Sequence, residues 1–419
     1  MRVAVVGAGA AGLMAAAAAA AEGADVTVYE RNTVAGKKLL IAGKGRCNFT
    51  RDCSVQELVD GFGKNGKFLY SALSAFGPAD MCTLMSRLGV DYKVERGKRV
   101  FPVSDRAADV RDALLAYAES SGASFAMGCR IASIEVKDRR VAGVIGADGR
   151  RYAADRVILA TGGASYPGTG STGDGYAMAE ALGHTVRPLL PALVPLETQE
   201  EWPRSLSGLS LRNVRLTLAD QGRIVGQEFG EMLFTHFGVS GPIVLTLSRA
   251  ICEAMRRDGS HHPGRFTLRL DLKPALDEST LAARLQRDLA ANSRRQLKNS
   301  LNALLPKALI EPVIWQSGVP EETTANQVTA EQRRALVTAL KGMPMSVACA
   351  RPLEEAIVTS GGVVTREVMP NTMESRLVGG LYFAGEVLDL DGPTGGYNLQ
   401  AAFSTGRLAG ISSARSGRL

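Results

Sequence analysis

The sequence predicts an α/β fold built on a parallel sheet that opens with a dinucleotide-binding β-α-β unit, and three observations predict it. Val3 to Val6 is a short apolar run suited to a buried parallel strand. Gly7, Gly9 and Gly12 follow at the G-x-G-x-x-G spacing. A second strand, Asp25 to Tyr29, then ends in Glu30, eighteen residues after Gly12. That is near the ~20 expected of an acid that accepts from a ribose hydroxyl.

Each element has a job in that reading. Gly7 permits the tight turn, Gly9 lets the backbone approach a pyrophosphate, and Gly12 lets the helix lie close to the strand. The helix N-terminus directs N–H groups and a positive dipole end at the phosphates. Val3 to Ala21 carries no charge and follows Arg2, so it also has the outline of a signal peptide or anchor. Its Ala- and Gly-rich makeup and the strand and acid behind it favour the nucleotide unit.

Composition bounds the rest. The chain has 419 residues, 45% hydrophobic and 22% charged, enough for two or three domains. No other stretch approaches transmembrane length, and a cytoplasmic protein is expected. Six scattered cysteines (47, 53, 82, 129, 252 and 349) read as free thiols. The net charge of +7 comes from short pairs such as Arg139-Arg140 and Arg294-Arg295. Such pairs are usually solvated, and an anionic small molecule explains the excess as well as a nucleic acid does. The four histidines form no metal-ligand pattern with cysteine.

Further along, Ile131 to Lys137 and Val141 to Ala147 alternate around the turn Asp138-Arg139-Arg140. Arg156 to Ala160 is a buried strand ending in Thr161-Gly162-Gly163. A meander feeding such a corner is the usual second element of a two-part FAD-binding domain. Pro188, Pro191 and Pro195 mark a boundary. Residues 191–272 then read mainly as short strands. Leu281, Leu285 and Leu289 open a helical stretch that closes with Glu331 to Leu340, and 343–351 reads as a returning strand. A last strand, Gly380 to Ala384, leads through a glycine turn into a helix over Leu399 to Leu408.

Four segments carry chemistry. Glu386 could accept from a ribityl hydroxyl, with the amides of Asn398 and Leu399 facing the cofactor. The loop Gly36 to Asn48 is rich in Gly and Lys, and Lys44 or Arg46 could set a cation at the flavin N1–O2 edge. Gly168, Gly170 and Gly173 repeat the glycine spacing without a preceding strand or a following acid, and read as a loop over the flavin. A nicotinamide dinucleotide thus has no unit of its own and can only visit. His236, in a glycine-punctuated cluster, is the best general acid or base by type, with a satisfied core histidine as the alternative. His184, His261 and His262 sit in turn-like or polar stretches. Cys47 and Cys53 are spaced with five intervening residues, which does not suit a redox dithiol.

With these residues in view, the chain resembles the bacterial NAD(P)/FAD-dependent oxidoreductase family that includes aminoacetone oxidase and a flavoprotein of bile-acid dehydroxylation. Gly-Lys-Gly-Arg-Cys-Asn at 43–48 and Thr-Gly-Gly-Tyr-Asn-Leu-Gln at 394–400 are the most specific of the matching segments. The resemblance implies a glutathione-reductase-like two-part FAD domain (1–190 and 353–419). It also implies a β-rich substrate domain (191–274 and 342–352) and a small helical insert (275–341). It places non-covalent FAD on Gly7, Gly9, Gly12, Glu30, Arg31, Lys38, Gly45, Arg46, Cys47, Asn48, Arg130, Ile131, Thr161, Gly162, Gly163, Gly385, Glu386, Asn398 and Leu399. The expected reaction is hydride transfer between flavin N5 and a small organic substrate or NAD(P)H, with O2 or an organic acceptor as sink. An FAD-dependent RNA-modifying or RNA-binding protein is the alternative. Substrate and oligomeric state are left open.

Overall fold

The computed structural model describes residues 1–258 and 263–415. His261 and His262 lie outside the described residues. The chain divides into two compact units, Met1–Pro191 with Leu353–Leu419, and Ala192–Pro352.

The first unit is built on a five-stranded parallel sheet in the order Leu381–Phe383, Arg156–Leu159, Arg2–Val6, Asp25–Glu30, Ser124–Met127. Val3 to Val6 are buried at its centre, as a doubly covered parallel strand requires. The helix Ala10–Ala21 follows the glycine turn, and nearly all of its residues are buried. Its alanines serve close packing, not membrane insertion. The last helix, Tyr397–Arg415, lies against it, with Gly406 and Gly410 set on the carbonyls of Ala11 and Ala15, where any side chain would collide. That helix starts two residues earlier and ends seven later than its apolar pattern suggests. Among the described residues no helix is long and apolar enough to cross a membrane.

The antiparallel meander is Ile131–Lys137, Arg140–Gly146 and Arg151–Ala153. Its first turn uses Asp138 and Arg139 in the left-handed region, at φ 50° and 59°, the backbone a two-residue hairpin demands. Residues 54–120, which gave little sequence signal, hold several helices, among them Val55–Gly61 and Ala107–Ser120. Ser54 and Glu57 form a reciprocal capping box that starts the first of these. Thr50–Arg51, Arg99–Pro102 and Tyr92–Glu95 make a small antiparallel sheet.

The second unit is a closed six-stranded barrel with helices. Two of its strands, Ser210–Asp220 and Arg223–Thr235, are long, not short as expected. A helix, Pro242–Asp258, also stands where strands were expected. Ile243, Val244, Leu247 and Ile251 repeat at helical spacing and are buried. The helices Glu278–Ala291, Lys307–Ser317 and Ala330–Lys341 share one apolar core with the barrel, so Leu281, Leu285 and Leu289 pack with Leu216 and Leu268.

Candidate cofactor site

The N-terminal glycines form an open cradle. The helix Ala10–Ala21 is capped by Gly9 with no side-chain hydrogen bond, and its first turn has no acid. Helix geometry leaves the first amides without intrahelical partners, and nothing in the side chains claims them. A Cβ on Gly12 would overlap the Gly7 carbonyl, whereas one on Gly9 would meet no protein atom within 4 Å. Gly12 is therefore fixed by packing, whereas Gly9 borders open space. A pyrophosphate suits that space and those donors.

Glu30 is buried, 7% exposed. Its Oε2 accepts from the Ala8 amide at 2.8 Å, and its Oε1 from the Asn32 amide and side chain, both at 2.8 Å. Three N–H groups fill most of a carboxylate's roughly four acceptor positions. One acceptor position is left over, and the Ala8 and Asn32 amides fix where it points. Arg31 and Arg130 turn away from that oxygen and converge on Asp174, with Arg130 Nε 2.8 Å and Arg31 Nη1 3.3 Å from Oδ2. The Arg130 carbonyl accepts from Ala147, and Ile131 is buried at the start of the meander.

Two further predicted residues hold buried oxygens without a partner: Asn48 Oδ1 and Thr161 Oγ1. Buried polar atoms are rarely left so, and a bound ligand at both would resolve them. Thr161 begins the Gly162-Gly163 corner. A Cβ at Gly163 would crowd Glu386 Oε1 at 2.6 Å, so this corner and the C-terminal segment are packed edge to edge.

The Gly36–Asn48 segment is not a plain loop, since Lys37–Ile41 is a short helix. Arg46 does not present a free cation. It donates to Asp105 Oδ1 at 2.8 Å and to Glu95, and lies over the Phe101 ring at 4.2 Å. Arg46 holds the Glu95 carboxyl below its usual range. Lys93 and then Arg46 do the same for Asp105. Lys44 and Gly45 lie in the adjoining turn, Lys44 exposed. Cys47 is fully buried, and burial pushes its thiol up to about 12. All six cysteines are free thiols.

Near the C-terminus, Gly385 and Glu386 follow the strand Leu381–Phe383. Glu386 does not wait with an empty carboxylate. Its Oε2 lies 2.9 Å from Lys38 Nζ, and its Oε1 accepts from the Thr359 amide at 2.8 Å. Lys38 also donates to Ser165 Oγ at 2.8 Å. The Asn398 side chain staples its own turn, accepting from Gly392 at 2.8 Å and donating to the Gly392 carbonyl at 3.0 Å. The Asn398 and Leu399 amides lie in the first turn of the final helix, which has no acid.

His236 occupies the turn between strands Arg223–Thr235 and Gly238–Ser240. It is exposed and packs edge-on against Phe237 at 4.9 Å. The core-histidine alternative does not hold for it. The buried histidine is His184, which the sequence placed in a turn-like stretch. Its Nε2 is 2.8 Å from Ser375 Oγ and its Nδ1 3.3 Å from Glu367 Oε2. Ser375 Oγ already accepts from Leu377 and Val378, so its own proton goes to Nε2 and the ring carries its hydrogen on Nδ1. The loop of the second glycine motif is fastened to Asn32, whose Nδ2 donates to the Thr169 carbonyl at 3.1 Å and to Glu30 Oε1 at 2.8 Å.

The profile described as HI0933-like protein Rossmann domain matches residues 1–412. The chain is 34% identical over 416 residues to a 3-dehydro-bile acid delta(4,6)-reductase of Clostridium scindens, covering 99% of both. It is 32% identical over 415 residues to a ribosomal RNA dihydrouridine synthase of Haemophilus influenzae, covering 98% of both. Among solved structures, a 3-ketosteroid delta1-dehydrogenase from Sterolibacterium denitrificans shares the fold at TM-score 0.54 and 17% identity, covering 99% of both chains.

Proposed function

The chain belongs to the HI0933-like Rossmann-domain family and is an FAD-dependent oxidoreductase; we propose that its reaction is reduction of a carbon–carbon double bond conjugated to a carbonyl. FAD, when bound, supplies the hydride from N5 of its reduced ring. One observation carries the reading. Two full-length relatives have names that differ in substrate and agree in chemistry. A delta(4,6)-reductase of a 3-oxo bile acid saturates a double bond conjugated to a ketone. A dihydrouridine synthase saturates the ring double bond of uridine, which is conjugated to a ring carbonyl.

In this proposal the chain orients and polarises. The amides at the start of Ala10–Ala21 hold the pyrophosphate, and Glu30 holds the adenosine ribose. Buried Asn48 Oδ1 and Thr161 Oγ1 accept from the cofactor. The first-turn amides of Tyr397–Arg415 stabilise negative charge by the helix dipole. The open parallel sheet with its antiparallel meander supports a glutathione-reductase-like arrangement of the FAD domain. A nicotinamide dinucleotide visits as reductant.

A 3-oxo-4,6-diene steroid and a uridine-bearing RNA are the acceptors that the two relatives' names suggest. The net charge of +7 favours an anionic partner, which includes RNA. The test is to reduce the purified protein with NADPH or NADH under nitrogen and offer each acceptor. Reoxidation of the flavin by one of them is expected. Reoxidation by O2 alone would refute the proposal.

A further inference from the structure

The loop carrying the second glycine motif, 166–173, is tied to the residues that follow Glu30. Asn32 Nδ2 donates at once to Glu30 Oε1 at 2.8 Å and to the Thr169 carbonyl at 3.1 Å. Gly170 sits so close that a Cβ would collide with that same amide. Arg31 donates to Thr172 Oγ1 and, at 3.3 Å, to Asp174 Oδ2. Arg130, from the start of the meander, adds a second guanidinium to Asp174 Oδ2 at 2.8 Å. Asp174 opens the helix Asp174–Ala181, where a carboxylate is also favoured by the dipole. Burial alone would raise the Asp174 carboxyl, but Arg130 and Thr172 bring it below its usual range.

The support of Glu30 is thus shared with a loop more than a hundred residues away. Were the loop to lift, Asn32 Nδ2 would lose its second acceptor, and of the three N–H groups on Glu30 the side-chain one would lose its anchor while the Ala8 and Asn32 amides stay. We propose that Asn32, Arg31, Arg130 and Asp174 form a clasp that positions Glu30 and sets how fast FAD leaves the protein. The proposal rests on the reading that Glu30 holds the adenosine ribose. The four are positioning residues and act on FAD through Glu30. The ion pairs are only partly buried, Asp174 at 21% and Arg130 at 53% side-chain exposure, so the clasp is sensitive to salt.

The test is FAD release from the holoprotein, followed by the fluorescence of freed flavin. D174N and R130Q should each speed release about fivefold at low ionic strength. D174E, which keeps the charge, should restore most of the retention. At about 1 M salt, where the Debye length is ~3 Å, the gap between D174N and the unaltered protein should close. A gap of the same size at both salt concentrations would mean D174N acts by loosening the fold, and would overturn the clasp. E30A separates the two layers of the argument. If E30A leaves release unchanged, the ribose reading fails and the clasp with it. If E30A speeds release while D174N and R130Q do not, the clasp alone is overturned.

Discussion

Lys38 Nζ lies 2.9 Å from Glu386 Oε2, so an ammonium near one end of the chain neutralises a carboxylate near the other. Both groups are largely screened from water, 27% and 20% exposed. Ser165 and the Thr359 amide complete the cluster. The pair fastens the Gly36–Asn48 segment to the Gly385–Glu386 turn, the two segments assigned here to the flavin end.

Removing either partner strands the other's charge. K38M and E386Q should each weaken FAD binding by about tenfold, or ~1.4 kcal/mol. The double variant should be weakened less than the sum, with a coupling of roughly 0.5–3 kcal/mol. Titration of apoprotein with FAD measures all four corners of the cycle. Strict additivity would show that the two side chains act separately.

The glycine cradle separates folding from binding. Gly9→Val adds a side chain where no protein atom lies within 4 Å, so the variant should fold. It should lose FAD, because the side chain takes the pyrophosphate's place. Gly12→Ala pushes a methyl onto the Gly7 carbonyl and should lower the melting temperature even without FAD. Circular dichroism melts and flavin absorbance report the two effects. A Gly9→Val protein that keeps its yellow colour would place the phosphates elsewhere.

His184 makes stability depend on pH. Burial lowers its pKa, an effect the Glu367 carboxylate only partly offsets. The unfolded chain titrates near pH ~6.5 and so takes up this proton first as pH falls. Stability from this group is therefore present above about pH 6.5 and is lost as pH falls below it. His184→Gln should be less stable than the unaltered protein at pH 8 and lose less on acidification to pH 5. Denaturant melts at the two values, roughly 1.5 units either side of the histidine midpoint, give the comparison. Equal losses in both proteins would assign the acid sensitivity to other groups.

His236 is exposed on a barrel turn, so His236→Asn should leave folding and FAD affinity intact. If it moves the proton, substrate-driven turnover should slow by about a hundredfold or more. Unchanged turnover would leave His236 as a surface residue.

The first β-α-β unit was legible because its demands are local: an apolar run, glycines at fixed spacing and an acid at the next strand's end. The site's partners were not. Arg46 read as a free cation because Glu95 and Asp105 follow it by 49 and 59 residues. The tie between the second glycine motif and Asn32 was not legible either, because Asn32 lies 137 residues before its acceptor. Gly-Val-Ser-Gly-Pro at 238–242 lies in the stretch read mainly as short strands, a reading that hid the helix behind it. Pro at the first helical position and the spacing of Ile243, Val244, Leu247 and Ile251 were the available signal. His184 follows Gly183 and read as turn-like; Glu367, Ser375 and Phe383, far along the chain, surround it.

Whether the protein reduces a conjugated double bond is decided by a single anaerobic turnover. Protein with fully reduced flavin is mixed under nitrogen with a 3-oxo-4,6-diene steroid, or with uridine-bearing ribosomal RNA, and the product is weighed by mass spectrometry. One acceptor should gain two hydrogen atoms in step with flavin reoxidation. Flavin that stays reduced with both acceptors, and reoxidises only when air is admitted, would contradict it.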